Sequence, residues 1–368
     1  MADIKINRGD VAEGILGATL TAKFVHTATD KNKGVPLTQA QVDAVLNKFF
    51  SAHGKNSQNN TVSYKTPDLG KNVSDNITFS MSLTQPSIEF LSGKDRSLVK
   101  DLYDSAIAYV EDTWTNEVLK LVSNGRIDKV NIMSDGLGDQ KGTKADIKIF
   151  VNGLPYNRQI SLKVKGGEQF AQITGTDFKK QQALWTDILS LNIESLDKTY
   201  NKALKDYDKT KAFASREDKQ VTEYKNIIKS ATAITYKAAT KQMQQLNSSK
   251  NTKFFTNIAK FILSGAAKEA NENIELVKLE KSTYKQIKFD AKFVDEYSKK
   301  LKKTNLLISF RPYGDPVVQI HVGTQSGANL LFQVRVKIAA ESSQTKQGKI
   351  YRPYARHIIE AGPRMFNL

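Results

Sequence analysis

Asp146 and Lys163 are the two residues whose types and spacing most invite a chemical reading. They lie in the stretch KADIKIFVNGLPYNRQISLKVKGG, residues 144–167. In its first run Ile147, Ile149 and Val151 alternate with Asp146 and Lys148. In the second, Ile160, Leu162 and Val164 alternate with Ser161, Lys163 and Lys165. Successive strand residues point to opposite faces, so the aliphatic set predicts a buried face with Asp146, Ser161, Lys163 and Lys165 on the other. The loop NGLPYNR can reverse the chain, and antiparallel pairing would then bring the Asp146 carboxylate near the Lys163 ammonium. Other chemistries lack their residues. There is no cysteine and no GxSxG elbow, and His26, His53, His321 and His357 are scattered without metal-ligand spacing. The glycine-rich DGLGDQKG has neither phosphate-loop spacing and reads as a loop beside the hairpin.

An Asp on one strand and a Lys on the next, with a polar residue two positions before the Lys, resembles the core of the PD-(D/E)XK nuclease superfamily, the restriction-endonuclease-like fold. Here the pattern is Asp146, fourteen residues, then Ser161-Leu162-Lys163. The resemblance implies that Asp146 binds Mg²⁺ or Mn²⁺ while Lys163 orients or deprotonates the attacking water and stabilises charge at the phosphate. Such chemistry needs hard oxygen ligands and a cation near the reacting phosphorus. Members often carry a glutamate on a helix before the core strands, and Glu13 in GDVAEGILGA matches that residue. The resemblance implies catalytic roles for Lys163, Asp146, Glu13 and Ser161, with Asp146 and Glu13 on the metal. The departure is Ser161, which stands where the superfamily has an acid; Asp135, Asp139 or Glu168 could complete the coordination. Gln169 and Gln172 follow the lysine strand, where some relatives use polar residues on a helix to hold DNA or the site water.

The charge balance points the same way. Fifty-five Lys and Arg against 38 Asp and Glu give a net +17, and neutralising phosphates with such an excess releases counterions. A nucleic acid is therefore the expected partner, and the resemblance implies DNA. Lys165, Lys179, Lys180, Arg352 and Arg356 are candidate contacts, with Lys237 and Lys241 on the same lysine-rich surface. YRPYARHIIE, residues 351–360, adds Tyr351 and Tyr354, which can stack on bases. The alternative reading is a non-catalytic nucleic-acid-binding protein, or a viral structural protein, that keeps a nuclease-like core. Enzymes with this core often pair two copies to cut two strands, so a homodimer is expected. The opening MADIKINRGDVAEG is too charged for a signal peptide, and 18 apolar residues nowhere run uninterrupted. The expectation is a cytoplasmic protein without membrane partners, bacterial or phage-encoded, with absent cysteine fitting a reducing setting.

The elements that must hold these residues suggest a mixed α/β class. Val11, Ile15, Ala18 and Ala22 recur at helical spacing within residues 9–25. A second helix follows with Thr38 as N-cap, then the strand NITFSMSL, a long helix running to Gly125, the strand IDKVNIMSD and the hairpin. From 176 to 303 glycine and proline almost vanish, and 26 Lys and Arg against 16 Asp and Glu supply ten of the net charges. The expected organisation is a restriction-endonuclease-like core sheet flanked by helices in residues 1–175. A large lysine-rich helical insertion would occupy 176–303. Strands in 304–368 would complete the core or form a small β-rich subdomain with a basic tail.

Overall fold

Alternation in the sequence becomes pairing in two sheets. The computed structural model describes residues 7–28, 35–54, 60–64, 76–93, 95–123, 128–134, 145–164, 169–266, 274–345 and 348–368. The chain divides into two compact units, Met1–Gly167 with Ala266–Ala291 and Glu168–Gly265 with Lys292–Leu368.

The first unit runs α1 (Arg8–Thr27), α2 (Gln39–His53), β1 (Asn60–Tyr64), β2 (Ile77–Met81), α3 (Gln85–Ser92), α4 (Lys100–Ser123), β3 (Val130–Ser134), β4 (Ile147–Val151), the short β5 (Leu154–Pro155) and β6 (Gln159–Val164). It is completed much later by β8 (Ile274–Glu280) and β9 (Thr283–Lys288). The sheet order is β1-β2-β3-β4-β6-β8-β9, with β5 paired to β4. The β2–β3 and β6–β8 pairs are parallel and the rest antiparallel, so the sheet is mixed. Parallel neighbours need a long crossover. For β2–β3 it contains α3 and α4; for β6–β8 it contains everything from Glu168 to Gly265.

Helix α1 is buried from Asp10 through Phe24 on every side, which is the pattern of a helix inside a core rather than on it. Two glycines permit its close approach to its neighbours, Gly17 to the sheet and Gly14 to α3. A Cβ on Gly17 would fall on Ser134 Oγ and lie 2.9 Å from Phe79 Cε2, and one on Gly14 would lie 2.7 Å from Leu91 Cδ1. Gly17→Ala should therefore destabilise the protein by about 1–2 kcal/mol in denaturant melts, because overlap outweighs the gain in helix propensity. Combining it with Ser134→Ala should recover part of the loss. A neutral Gly17→Ala would show that the helix can lift off the sheet without cost.

The second unit contains β7 (Gln169–Thr174), α5 (Phe178–Gln182) running into a π-helical turn (Ala183–Ile188), α6 (Asp197–Ala203), α7 (Lys219–Ser248), α8 (Thr252–Ala266), α9 (Phe293–Lys303), and β10 (Leu306–Arg311), β11 (Val317–Val322), β12 (Leu330–Thr345) and β13 (Gly348–Ala361). Its antiparallel sheet has the order β10-β11-β12-β13-β7. The 30-residue α7 lies along this sheet through a stripe that includes Ile228, Ala231, Thr235, Tyr236, Ala239 and Met243. Inside that core His357 is fully buried between Tyr236 Oη (2.9 Å) and Gln181 Nε2 (2.9 Å), and burial pushes its pKa down to about 4.

The mixed α/β class is as expected, but the division of the chain is not the expected one. The lysine-rich block is not all helix. IELVKLE forms β8, buried along both faces, and with β9 it returns to the first sheet. The C-terminal strands pair instead with β7, at residues 169–174, to make the second sheet, so they do not complete the first. A strand buried on both sides loses the polar–apolar alternation by which a half-exposed strand is recognised.

Candidate active site

The hairpin that carries Asp146 and Lys163 is pinned at one end and spread at the other. Asp146 immediately precedes β4, and its amide donates to the Ile160 carbonyl at 2.8 Å. Only Ile147 and Ile160 then pair in register across β4 and β6. Two residues on, the Gln159 side chain takes the place of a backbone partner. Its Oε1 accepts from Ile149 N at 2.9 Å and its Nε2 donates to the Ile149 carbonyl at 2.9 Å. A side-chain amide in the ladder satisfies the buried backbone groups while the strands separate.

At the pinned end the Asp146 carboxylate turns back onto β6. Its Oδ2 accepts from Leu162 N at 2.5 Å and from Ser161 Oγ at 3.4 Å, and lies 3.9 Å from Lys163 Nζ. About a quarter of the Asp146 side chain and a fifth of the Lys163 side chain remain exposed, while Ser161 is buried. Burial raises the Asp146 pKa. Lys163, the Leu162 amide and the Ser161 hydroxyl pull it down, and the charge on Asp10 pushes it up again; the balance is upward.

Register brings Glu13 to the same end of the sheet. Ser134, the last residue of β3, pairs with Ile147, which pairs with Ile160. The Ser134 hydroxyl donates to the Glu13 carbonyl at 2.9 Å, so this turn of α1 sits beside the residue that follows Asp146. Glu13 itself is buried. Three residues before it, on the same helical face, Asp10 is also buried. It accepts from Asn7 Nδ2 (2.5 Å), Thr84 Oγ1 (2.5 Å), Thr84 N (3.3 Å) and Ser87 Oγ (3.4 Å), and so anchors α1 to the first turn of α3. Asp10 was missed in the sequence. The signal that could have found it is the i, i+3 spacing with Glu13 at the opening of a helix.

Asp146, Ser161 and Lys163 thus meet, with Glu13 and Asp10 on the helix at that end of the first unit. Lys165, Asp135, Asp139 and Glu168 lie outside the described residues. Gln169 and Gln172 fall on β7 in the second unit, and not on a helix, because the segment pairs with β13 as an added strand. The other expected DNA contacts are also in that unit. Lys179 and Lys180 lie on α5, Lys237 and Lys241 are exposed on α7, and Arg352 and Arg356 are half-buried on β13.

The donor set is made of carboxylate oxygens, which suits a hard divalent cation such as Mg²⁺. Among the described residues no group of three or more His, Asp and Glu side chains stands close enough together to hold a metal ion. No described helix is long and apolar enough to cross a membrane. No protein-family model, curated protein or solved structure matches this chain.

The upward shift of Asp146 has a defined sign. A carboxyl whose folded pKa is raised contributes stability at low pH that is lost as pH rises through the folded value. Asp146→Asn removes that loss. The melting temperature of the variant relative to the parent should therefore increase between pH 4, near the ordinary aspartate value, and pH 8. A difference that stays constant over this range would mean that the site does not penalise the ionised form.

Proposed function

We propose that the first unit carries a metal-dependent nuclease site of the restriction-endonuclease-like kind, hydrolysing phosphodiester bonds of DNA. The observation that carries this reading is the Lys163 ammonium held 3.9 Å from the Asp146 carboxylate where β4 and β6 are pinned together. Asp146 and Glu13 would hold Mg²⁺ or Mn²⁺, which when bound supplies a polarised water and neutralises phosphate charge. Lys163 places a fixed cation beside the reacting phosphate and holds or releases a proton at Nζ. Ser161 donates to Asp146 and keeps its carboxylate turned toward β6. Because Asp146 must be ionised to bind a metal, activity should rise with pH from acid toward neutrality. The proposal extends to two copies acting together on the strands of a duplex.

A non-catalytic nucleic-acid-binding protein is the second reading. One observation favours it: the position expected to supply an acid supplies the Ser161 hydroxyl, which is already bonded to Asp146. Incubation of plasmid and linear DNA with the protein, with and without Mg²⁺ or Mn²⁺, separates the two. Metal-dependent cleavage lost in Asp146→Asn supports the nuclease. Tight, salt-dependent binding without cleavage under any metal supports the second reading.

A further inference from the structure

We propose that the second unit binds an unpaired nucleotide of a single-stranded nucleic acid in the cavity between β13 and the segment from α6 to Thr210. The inference shares with the nuclease reading only a nucleic-acid partner and does not depend on cleavage. The cavity measures about 510 Å³, within the size range of sites that take small organic groups. Its lining combines Tyr207 and Tyr354 with Asn201, Asp177, Lys209 and Arg352.

Tyr207, Tyr354 and Arg352 are each tied to β13 or to the segment from α6 to Thr210. The Tyr207 hydroxyl donates to the Pro353 carbonyl at 2.8 Å, which fixes that ring against β13. The Tyr354 hydroxyl accepts from Arg356 Nε at 2.7 Å, and the guanidinium lies 5.1 Å from the ring centre. Arg356 is thus committed to orienting an aromatic wall. Rigid aromatic rings are platforms on which any base can stack. Among the described residues Arg352 uses only Nε, in a 3.4 Å contact with the Thr210 carbonyl, out of the five N–H donors of a guanidinium. With Lys209 it supplies the phosphate-binding charge.

The acids in the lining decide between a nucleotide and a bare phosphate backbone. A surface for duplex phosphates would be cationic throughout, whereas this cavity includes Asp177 and Asp208. Asp208 is engaged by its own loop, accepting from Thr210 N at 2.8 Å and Thr210 Oγ1 at 2.7 Å. Asp177 is exposed before α5, where its carboxylate can accept from the amino group of a base. A second hollow of about 660 Å³ shares Asp177, Asn201 and Lys209 and adds Lys179 with Glu194 and Asp197, so its lining is net acidic and the phosphate-binding charge lies in the first cavity. Lys180 does not line either hollow. Its alkyl chain lies against Gly175, whose φ of +136° and whose space leave no room for a side chain.

The test is fluorescence anisotropy of a labelled ten-residue oligo(dC) in EDTA, which removes any cleavage, with oligo(dT) and a duplex of equal length for comparison. The parent should prefer oligo(dC) to oligo(dT) and to duplex. Tyr354→Leu should weaken oligo(dC) binding about tenfold or more, and Tyr354→Phe, which keeps the ring and loses only the bond from Arg356, should weaken it clearly less. Arg352→Gln should reduce the slope of log affinity against log salt by about 0.7. Lys260→Gln, on the exposed face of α8, should stay within about twofold. Equal weakening by Arg352→Gln and Lys260→Gln with no effect of Tyr354→Leu would overturn the proposal in favour of a diffuse cationic surface. Weakening by Tyr354→Phe as large as that by Tyr354→Leu, or a preference for duplex, would also overturn it. A protein that fails to cleave DNA but behaves as described keeps this site and loses only the nuclease reading.

Discussion

Lys163→Ala should lower metal-dependent DNA cleavage by about 10²–10³-fold at saturating metal, with little change in duplex binding or in folding. The magnitude is that of removing one preorganised charge aimed at a reacting group. Folding should survive because the Lys163–Asp146 pair is long, at 3.9 Å, and the Leu162 amide and Ser161 hydroxyl still donate to Asp146 when the ammonium is gone. Binding should survive because one ammonium in a chain with net +17 is a small part of the attraction to phosphate. Lys163→Arg distinguishes the two roles open to this residue. A guanidinium keeps the charge but cannot give up a proton at neutral pH. Activity retained in Lys163→Arg would assign Lys163 to charge stabilisation, and activity lost in both variants would assign it to proton transfer or to a geometry only lysine meets. Cleavage by Lys163→Ala at the parent rate would remove Lys163 from the site altogether.

The hairpin that motivates this experiment was legible because its strands alternate. Ile147, Ile149, Ile160, Leu162 and Val164 are buried, and the approach of Asp146 to Lys163 follows from period and register. What alternation cannot carry is a side chain that acts as backbone. Gln159 spreads the strands through its amide, and in the sequence it is only a polar residue at a strand start. Ser161 is similar. Its departure from the acidic pattern was plain, but its bond to Asp146 requires coordinates. The division into units was hidden for another reason. The crossover between the parallel strands β6 and β8 contains Glu168–Gly265, the first part of the second unit, so no local signal links Gln159–Val164 to Ile274–Glu280. The C-terminal arginines were read as a basic tail, yet strand geometry makes Arg356 the support of Tyr354.

Glu275, on β8, marks how that distant strand is bound back into the first sheet, and its removal should be among the most destabilising single changes in the unit. It is 3% exposed, and its carboxylate accepts from Arg158 Nη2 at 2.9 and 3.2 Å and from the Tyr109 hydroxyl of α4. Burial raises the Tyr109 pKa well above its ordinary value, so the phenol stays protonated and donates. Trp114 Nε1 in turn donates to Tyr109 Oη at 2.9 Å. Arg158 also donates to the Thr113 carbonyl at 2.8 Å and lies 4.1 Å from the Trp114 ring centre. Three elements distant in sequence therefore share one buried charge pair. Removing one partner leaves the other charge buried, which costs about 3–5 kcal/mol. Glu275→Leu should accordingly lower the melting temperature by roughly 6–20 °C for a unit of this size. Trp114 and Trp185 are the two tryptophans of the chain and lie in different units, so a Trp185→Phe background leaves Trp114, next to Arg158, as the fluorescent reporter. Arg158→Leu alone should cost a similar amount, and Glu275→Leu with Arg158→Leu should cost clearly less than the sum, because no unpaired charge remains. Strict additivity would mean that Glu275 and Arg158 are each solvated on their own, and that β8 is held by backbone pairing with β6 rather than by this charge.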